Sequence, residues 1–240
     1  MAQAHQPLKI TPSQVVGSFG SVDDLAQADM FSLGSACDLA EIRLDLLAAA
    51  GKPPECGLWS HLRDIPLLFT ARRLEEGGAL PLRAGERMAL LRSALDQAAL
   101  IDIEVASIGE MRELLDELKR RGIPWIASFH DFEKLPPSSA LEDAAGLAKT
   151  AGAAAFKTAA MLHSPADVAR LAEFQLTDHG IPVATMGMGP LAPVSRLLCA
   201  QCGSMLNYGF IGKNPTAPGQ WDAALLKQAI ARLAPLRAQA

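Results

Sequence analysis

Short apolar runs alternate with longer amphipathic stretches along the whole 240-residue chain. The short runs predict strands over 14–19, 37–45, 66–71, 100–105, 125–129, 153–158, 181–186 and 204–208. Between them, apolar residues recur at helical spacing, as with Met88, Leu91 and Leu95 inside 85–97. Further helices are predicted over 108–121, 139–151, about 164–178, 191–200 and 221–236, with a helical fragment at 58–63. Local signals mark several ends. Ser21 with Asp24 opens a helix in capping-box style, Gly122 closes one at a C′ position, and Pro165 follows Ser164 at a first turn. Strands that alternate with helices imply a parallel sheet. Eight such units joined by short loops imply one (β/α)8 TIM barrel over 1–240, a single domain, with a doubly wound open sheet as the runner-up.

One strand stands apart. The run 153–158 reads Ala-Ala-Ala-Phe-Lys-Thr, small and apolar residues leading into Lys157 at the C-terminal end of the predicted strand. Burying an ammonium is costly, so an enclosed lysine shifts toward the neutral amine, which attacks carbonyls. Other charges fall at strand ends, where barrel enzymes carry their chemistry. The second run ends Glu41-Ile-Arg43-Leu-Asp45, whose charges at alternate positions are expected on one face. Arg72 and Glu76 follow the third run, Glu104 ends the fourth and His130 the fifth. The chemistry that fits is a Schiff-base lysine, a histidine acid/base on the adjacent strand, and arginines for an anionic substrate.

Composition narrows the picture by exclusion. Half the residues are hydrophobic but only 5% aromatic, so the core must be aliphatic, and a formal charge of −4 with scattered Lys and Arg argues against nucleic acid. No run of apolar residues is long enough to span a membrane, and 1–12 has no apolar h-region, so a cytoplasmic location is expected. Cys199 and Cys202 have CxxC spacing, but Cys37 and Cys56 do not complete a zinc set, and packing is the expected role. The remaining histidines, His5, His61, His163 and His179, lack ligand-like spacing. Neither a metal nor a cofactor is expected.

Taken together, several motifs resemble type I 3-dehydroquinate dehydratase. They are Glu41-x-Arg43-x-Asp45, Phe69-Thr-x-Arg72 with Glu76-Gly-Gly78, Ser128-Phe-His130-Asp-Phe132 and Phe156-Lys157, then Met188-Gly189, Ser195-Arg196, Gly203-Ser204 and Ala217-Pro-Gly-Gln220. The resemblance implies that Lys157 condenses with the ketone of 3-dehydroquinate, that His130 moves the protons, and that Glu76 orients the imidazole. It implies Arg196 on the carboxylate, with Gln220 and Thr216 assisting. Glu41, Arg43 and Arg72 then hold the ring hydroxyls, Met188 lines the pocket, and the Gly- and Pro-rich stretch 209–219 forms a lid. A homodimer is also implied. The chain departs from the family pattern with Thr216 for serine, Ala192 for glycine, prolines at 190 and 193, and one extra residue between Ser204 and Thr216. A class I aldolase and a catalytically silent binding barrel are the competing readings.

Overall fold

The computed structural model describes residues 13–52, 55–62 and 64–237. The eight parallel strands are β1 (Gln14–Phe19), β2 (Leu39–Arg43), β3 (Leu67–Thr70), β4 (Ala98–Glu104), β5 (Trp125–Asp131), β6 (Ala155–Met161), β7 (Val183–Met188) and β8 (Leu206–Ile211). β1 pairs with both β2 and β8, and the ladder runs β8-β1-β2 on through to β7. Where β7 and β8 meet, Met205 N donates to Val183 O at 3.0 Å, so the sheet is a nearly closed barrel rather than an open one.

The helices that cover it are α1 (Val22–Gln27), α2 (Met30–Ala36), α3 (Leu44–Ala49), α4 (Ala84–Ala94), α5 (Arg112–Arg121), α6 (Ser138–Thr150), α7 (Pro165–Leu176), α8 (Ala192–Gln201) and α9 (Ala223–Arg237). Local chemistry sets their ends. Ser21 caps α1 by accepting from Asp24 N, Ser164 and Asp167 form a capping box on α7, and Gly122 ends α5 at φ 67°. α2, capped by Asp29, was not predicted, because its run Met-Phe-Ser-Leu-Gly-Ser-Ala carries small and polar residues between its apolar ones.

Alternation along the strands builds the barrel interior in layers. Val16, Leu39, Leu68, Leu100, Ile126, Ala155, Ala184 and Leu206, one from each strand, form an inner apolar plug. Two residues further along come Ser18, Glu41, Thr70, Asp102, Ser128, Lys157, Met186 and Tyr208, a layer that is mostly polar and fully enclosed. A separate apolar core, including Phe69, Ile101, Phe156 and Leu171, fills the space between sheet and helices.

Most predicted strand boundaries move by one to three residues, and two of the shifts concern site residues. The second strand stops at Arg43, and Asp45 lies buried in the first turn of α3. There its carboxylate accepts the backbone N–H of Arg72 at 3.2 Å and of Ala79 at 3.1 Å, contacts it could not reach from a continued strand. Lys157 is the third of seven residues in β6, not its end, because ladders to β5 and β7 carry the weak strand formers after it as far as Met161. The predicted 58–63 fragment is two 3-10 turns, Cys56–Leu58 and Ser60–Leu62, and Arg63 lies outside the described residues, as do 1–12 with His5. Among the described residues no helix is long and apolar enough to cross a membrane.

Candidate active site

Lys157 projects from the middle of β6 into the barrel, only 4% exposed. Its Nζ lies 2.9 Å from Asp102 Oδ2 on β4 and 4.1 Å above the centroid of the Tyr208 ring on β8. Burial pulls the lysine below its ordinary pKa and the nearby Arg72 charge adds to the fall, while Asp102 opposes it. Burial by itself would raise the Asp102 carboxyl, but Arg72 and Lys157 outweigh it and hold the acid well below the usual range. Asp102 Oδ1 takes Arg72 Nη1 at 2.9 Å and Ser128 Oγ at 2.5 Å. The ionised carboxylate therefore steadies a desolvated amine without leaving it fully charged at all pH values.

His130 stands near the end of the neighbouring β5, its Cα paired with Ala159, two residues beyond Lys157. Glu76 sits in the turn Leu74–Glu76 after β3, which Gly77 closes at φ 86°. A side chain on Gly77 would strike the Phe132 ring at 2.5 Å, so glycine serves both the turn and the packing. Glu76 Oε2 accepts from His130 N at 2.9 Å and lies 3.0 Å from His130 Nδ1. When Glu76 is ionised its carboxylate can only accept, so Nδ1 then carries the proton and Nε2 keeps its lone pair. Burial first, then the Arg72 and Lys157 charges, push the imidazole well below its usual pKa. His130 is thus a neutral base at neutral pH. Burial pushes Glu76 up to about 7, against the pull of Arg72.

The surrounding charges differ in how they are held. Glu41 accepts from Ser18 Oγ at 2.5 Å and Thr70 Oγ1 at 2.8 Å. Asp45 clasps Arg43 through two hydrogen bonds of 2.8 and 2.7 Å, and Arg43 Nη2 also donates to Gly77 O at 3.0 Å. Arg72 lies between Asp102 and Glu104, at 2.9 and 3.1 Å, and their charges raise it against its burial. Arg196, at the core-facing side of α8 and 2% exposed, donates to two carbonyls, Gly187 O at 3.2 Å and Tyr208 O at 2.8 Å. Among the described residues it has no carboxylate partner, and burial lowers it to about 10. Thr216 N and Oγ1 both donate to Gln220 Oε1, at 2.8 and 2.9 Å, and Met188 is fully buried beside them.

All ten residues singled out from the sequence line one cavity at the barrel mouth. Asp102, Ser128 and Tyr208 belong to the same constellation and were missed. Asp102 was visible in principle, since it stands two positions before Glu104 in a strand of alternating charge, and Tyr208 ends the predicted eighth strand. Glu104, at the end of β4, is enclosed by Arg72, Arg87 and Ser107. Asp131 accepts the N–H groups of Glu133 and Lys134 at 2.8 and 2.9 Å, a turn role. His61, His163 and His179 each pair with a backbone carbonyl, and Cys199, buried in α8, is a free thiol that burial raises to about 11. The departing residues pack without conflict. Ala192 is fully buried, and Pro193 in the first turn of α8 offers its carbonyl to Trp221 Nε1 at 3.0 Å.

Comparison with known proteins adds to this geometry. The family model "Type I 3-dehydroquinase" matches residues 20–235. A 3-dehydroquinate dehydratase of Methanothrix thermoacetophila is 33% identical over 231 residues, covering 93% of each chain. The catabolic 3-dehydroquinate dehydratase of Acinetobacter baylyi is 32% identical over 225 residues, covering 88% of this chain and 81% of that one. The crystal structure of 3-dehydroquinate dehydratase from Geobacillus kaustophilus superposes with a TM-score of 0.82 at 26% identity, over 97% of this chain and 98% of the other.

Proposed function

Because the chain belongs to the type I 3-dehydroquinase family, a family of hydro-lyases, we propose that it converts 3-dehydroquinate to 3-dehydroshikimate through an imine on Lys157. The observation that carries this reading is the pairing of two unlike features in one enclosed cavity. One is a desolvated lysine braced by a carboxylate, and the other a buried guanidinium with no counter-charge among the described residues. The first suits a ketone, the second a carboxylate on the same small molecule.

The steps follow from the groups in place. The neutral Lys157 amine adds to the ketone carbon, and loss of water leaves a protonated imine, with Asp102 and the face of Tyr208 beside the cation. His130 Nε2 takes a proton from the carbon next to the imine, whose electrons move into the C=N⁺ bond. The resulting enamine expels the hydroxyl group one carbon further on, and the His130 imidazolium gives that oxygen its proton. Water then cleaves the imine, freeing the enone and the amine. The net change is the loss of one water. Glu76 keeps Nε2 facing the substrate through its two contacts with His130.

In this reading Arg196 grips the carboxylate, with Thr216 and Gln220 closing over it. Glu41, Arg43 and Arg72 hold ring hydroxyls, and Met188 forms an apolar wall. The family resemblance further suggests a homodimer at work in the cytoplasm, which sedimentation of the purified protein and fractionation of cells would test. The reaction is the same whether it serves biosynthesis or breakdown of quinate.

Borohydride supplies the direct test of the covalent step. It reduces an imine to a stable amine, so treatment with substrate present should inactivate the protein and leave the adduct on Lys157 in peptide maps. Labelling at Lys134 or Lys213, or no labelling, would falsify the imine.

A further inference from the structure

The connection between β8 and α9 carries Thr216 and Gln220 to the mouth, yet its first arm, residues 212–215, is solvent-exposed. Apolar burial therefore contributes little to holding that arm in place. What it does touch is the corner between β1 and α1. Asp24 Oδ1 accepts from Lys213 N at 3.2 Å, and Oδ2 accepts from Asn214 Nδ2 at 2.8 Å. Ser21 Oγ donates to the same Oδ2 at 2.8 Å, fixing the carboxylate from its other side. The backbones close in to the same degree. A side chain on Gly20 would meet Asn214 O at 2.0 Å, and one on Gly212, at φ 85°, would meet the Asp24 carboxylate at 2.2 Å. The far end of the connection is held separately, with Gly189 N donating to Pro218 O at 3.1 Å.

We infer that Asp24, with Gly20, is a positioning element for the site, a latch that holds the lid's entry arm on the barrel rim and so keeps Thr216 and Gln220 over the substrate. The latch lies outside the cavity, touches no reacting atom, and joins residues 189 and 190 positions apart. Its chemistry suits the task. Hydrogen bonds from backbone and amide donors to a carboxylate are stronger than neutral ones but exchange readily with water at a half-exposed site, so the arm can release and return. The substrate then binds most tightly to the latched state, and loosening the latch lowers the fraction of protein competent to bind.

This rests on the role given to Thr216 and Gln220 above, and its test separates the two. Asp24→Ala and Gly20→Ala attack the latch from opposite sides, one by removing the acceptor and one by pushing Asn214 away. Each should raise KM for 3-dehydroquinate about 5- to 20-fold while kcat stays within about twofold, because saturating substrate restores the closed state. Trypsin cleavage after the exposed Lys213 should become several-fold faster in both variants, and an equilibrium mixture of substrate and product should slow it again. The double variant should be no worse than the poorer single one. Unchanged KM together with unchanged cleavage in Asp24→Ala overturns the latch, as does a fall in kcat with KM and cleavage unaltered. Failure of borohydride to label wild-type Lys157 would instead sink the imine and leave the ligand-free cleavage comparison to decide the latch.

Discussion

Arg72 and Arg196 are both arginines buried at the mouth of the same barrel, and they live in opposite surroundings. Arg72 has Asp102 and Glu104 within 3.1 Å, and their charges raise it well above its ordinary range. Arg196 has only uncharged acceptors within hydrogen-bond reach among the described residues, two carbonyl oxygens and the Met186 sulfur, and burial lowers it to about 10. The compensated side is internally paired: Arg72, Asp102, Ser128 and Lys157 form one connected network. The uncompensated side stores a charge deficit that an anionic group can fill. Bringing a carboxylate to Arg196 gains a charge-assisted pair and relieves a desolvation cost already met in folding.

That contrast can be broken most sharply on the compensated side. Asp102→Ala leaves Arg72 and Lys157 buried with fewer counter-charges, and removal of one partner from such a network costs about 3–5 kcal/mol. A urea melt should show that loss, and the imine-forming rate should fall with it. A stability within 1 kcal/mol of wild type would mean that Glu104 and Glu41 suffice for both cations.

His130→Ala probes the same side without touching its charges. Turnover should drop by about 10²–10⁴-fold, since only the proton carrier is lost. Borohydride should still trap substrate on Lys157, and mass spectrometry of the variant should find that adduct. A near wild-type rate would require another base.

On the other side the expected pattern reverses. Arg196→Met breaks no ion pair among the described residues, so stability should hold or rise. Binding of 3-dehydroquinate should weaken by about 1.5–3 kcal/mol, the range for a hydrogen bond to a charged group, read as a raised KM. An unchanged KM would place the carboxylate elsewhere.

The smallest effect concerns Glu76, which holds His130 and feels the Arg72 charge. Its folded pKa, about 7, is above the unfolded value of about 4.3, so the folded protein binds this proton more tightly. Its contribution to stability is then fullest below about pH 4.3 and is lost as pH rises toward 7. Activity runs the other way, because only the ionised form holds His130 Nδ1–H. Glu76→Gln should lower the rate about tenfold, remove the limb near pH 7 from the kcat/KM profile, and flatten stability between pH 5 and 8. A profile identical to wild type would assign that limb to Lys157.

Much of this architecture is written in local sequence. Hydrophobic period and turn residues suffice for eight strands, most helices and their caps, because those signals act over a few neighbouring residues. The residues that line the cavity were legible too, several of them as polar residues on strands whose companions are apolar. Boundaries were less so. Lys157 was read as lying at a strand end because Ala159 and Ala160 have weak strand preference, and pairing with β5 and β7 keeps them extended.

What the chain determined by itself is therefore the inventory: a barrel, and at its mouth a lysine, a histidine, two carboxylates and three arginines. Tertiary structure decided the partnerships. Asp102 meets Lys157 across 55 positions, Glu76 meets His130 across 54, and Asp24 meets Lys213 in the β8–α9 connection across 189. No local propensity encodes such pairs, since they depend on strand register and on the closing of the sheet around its plug. The same closure buries Arg196 beside carbonyls while giving Arg72 two carboxylates, and burial converts that difference in neighbours into a difference in charge balance.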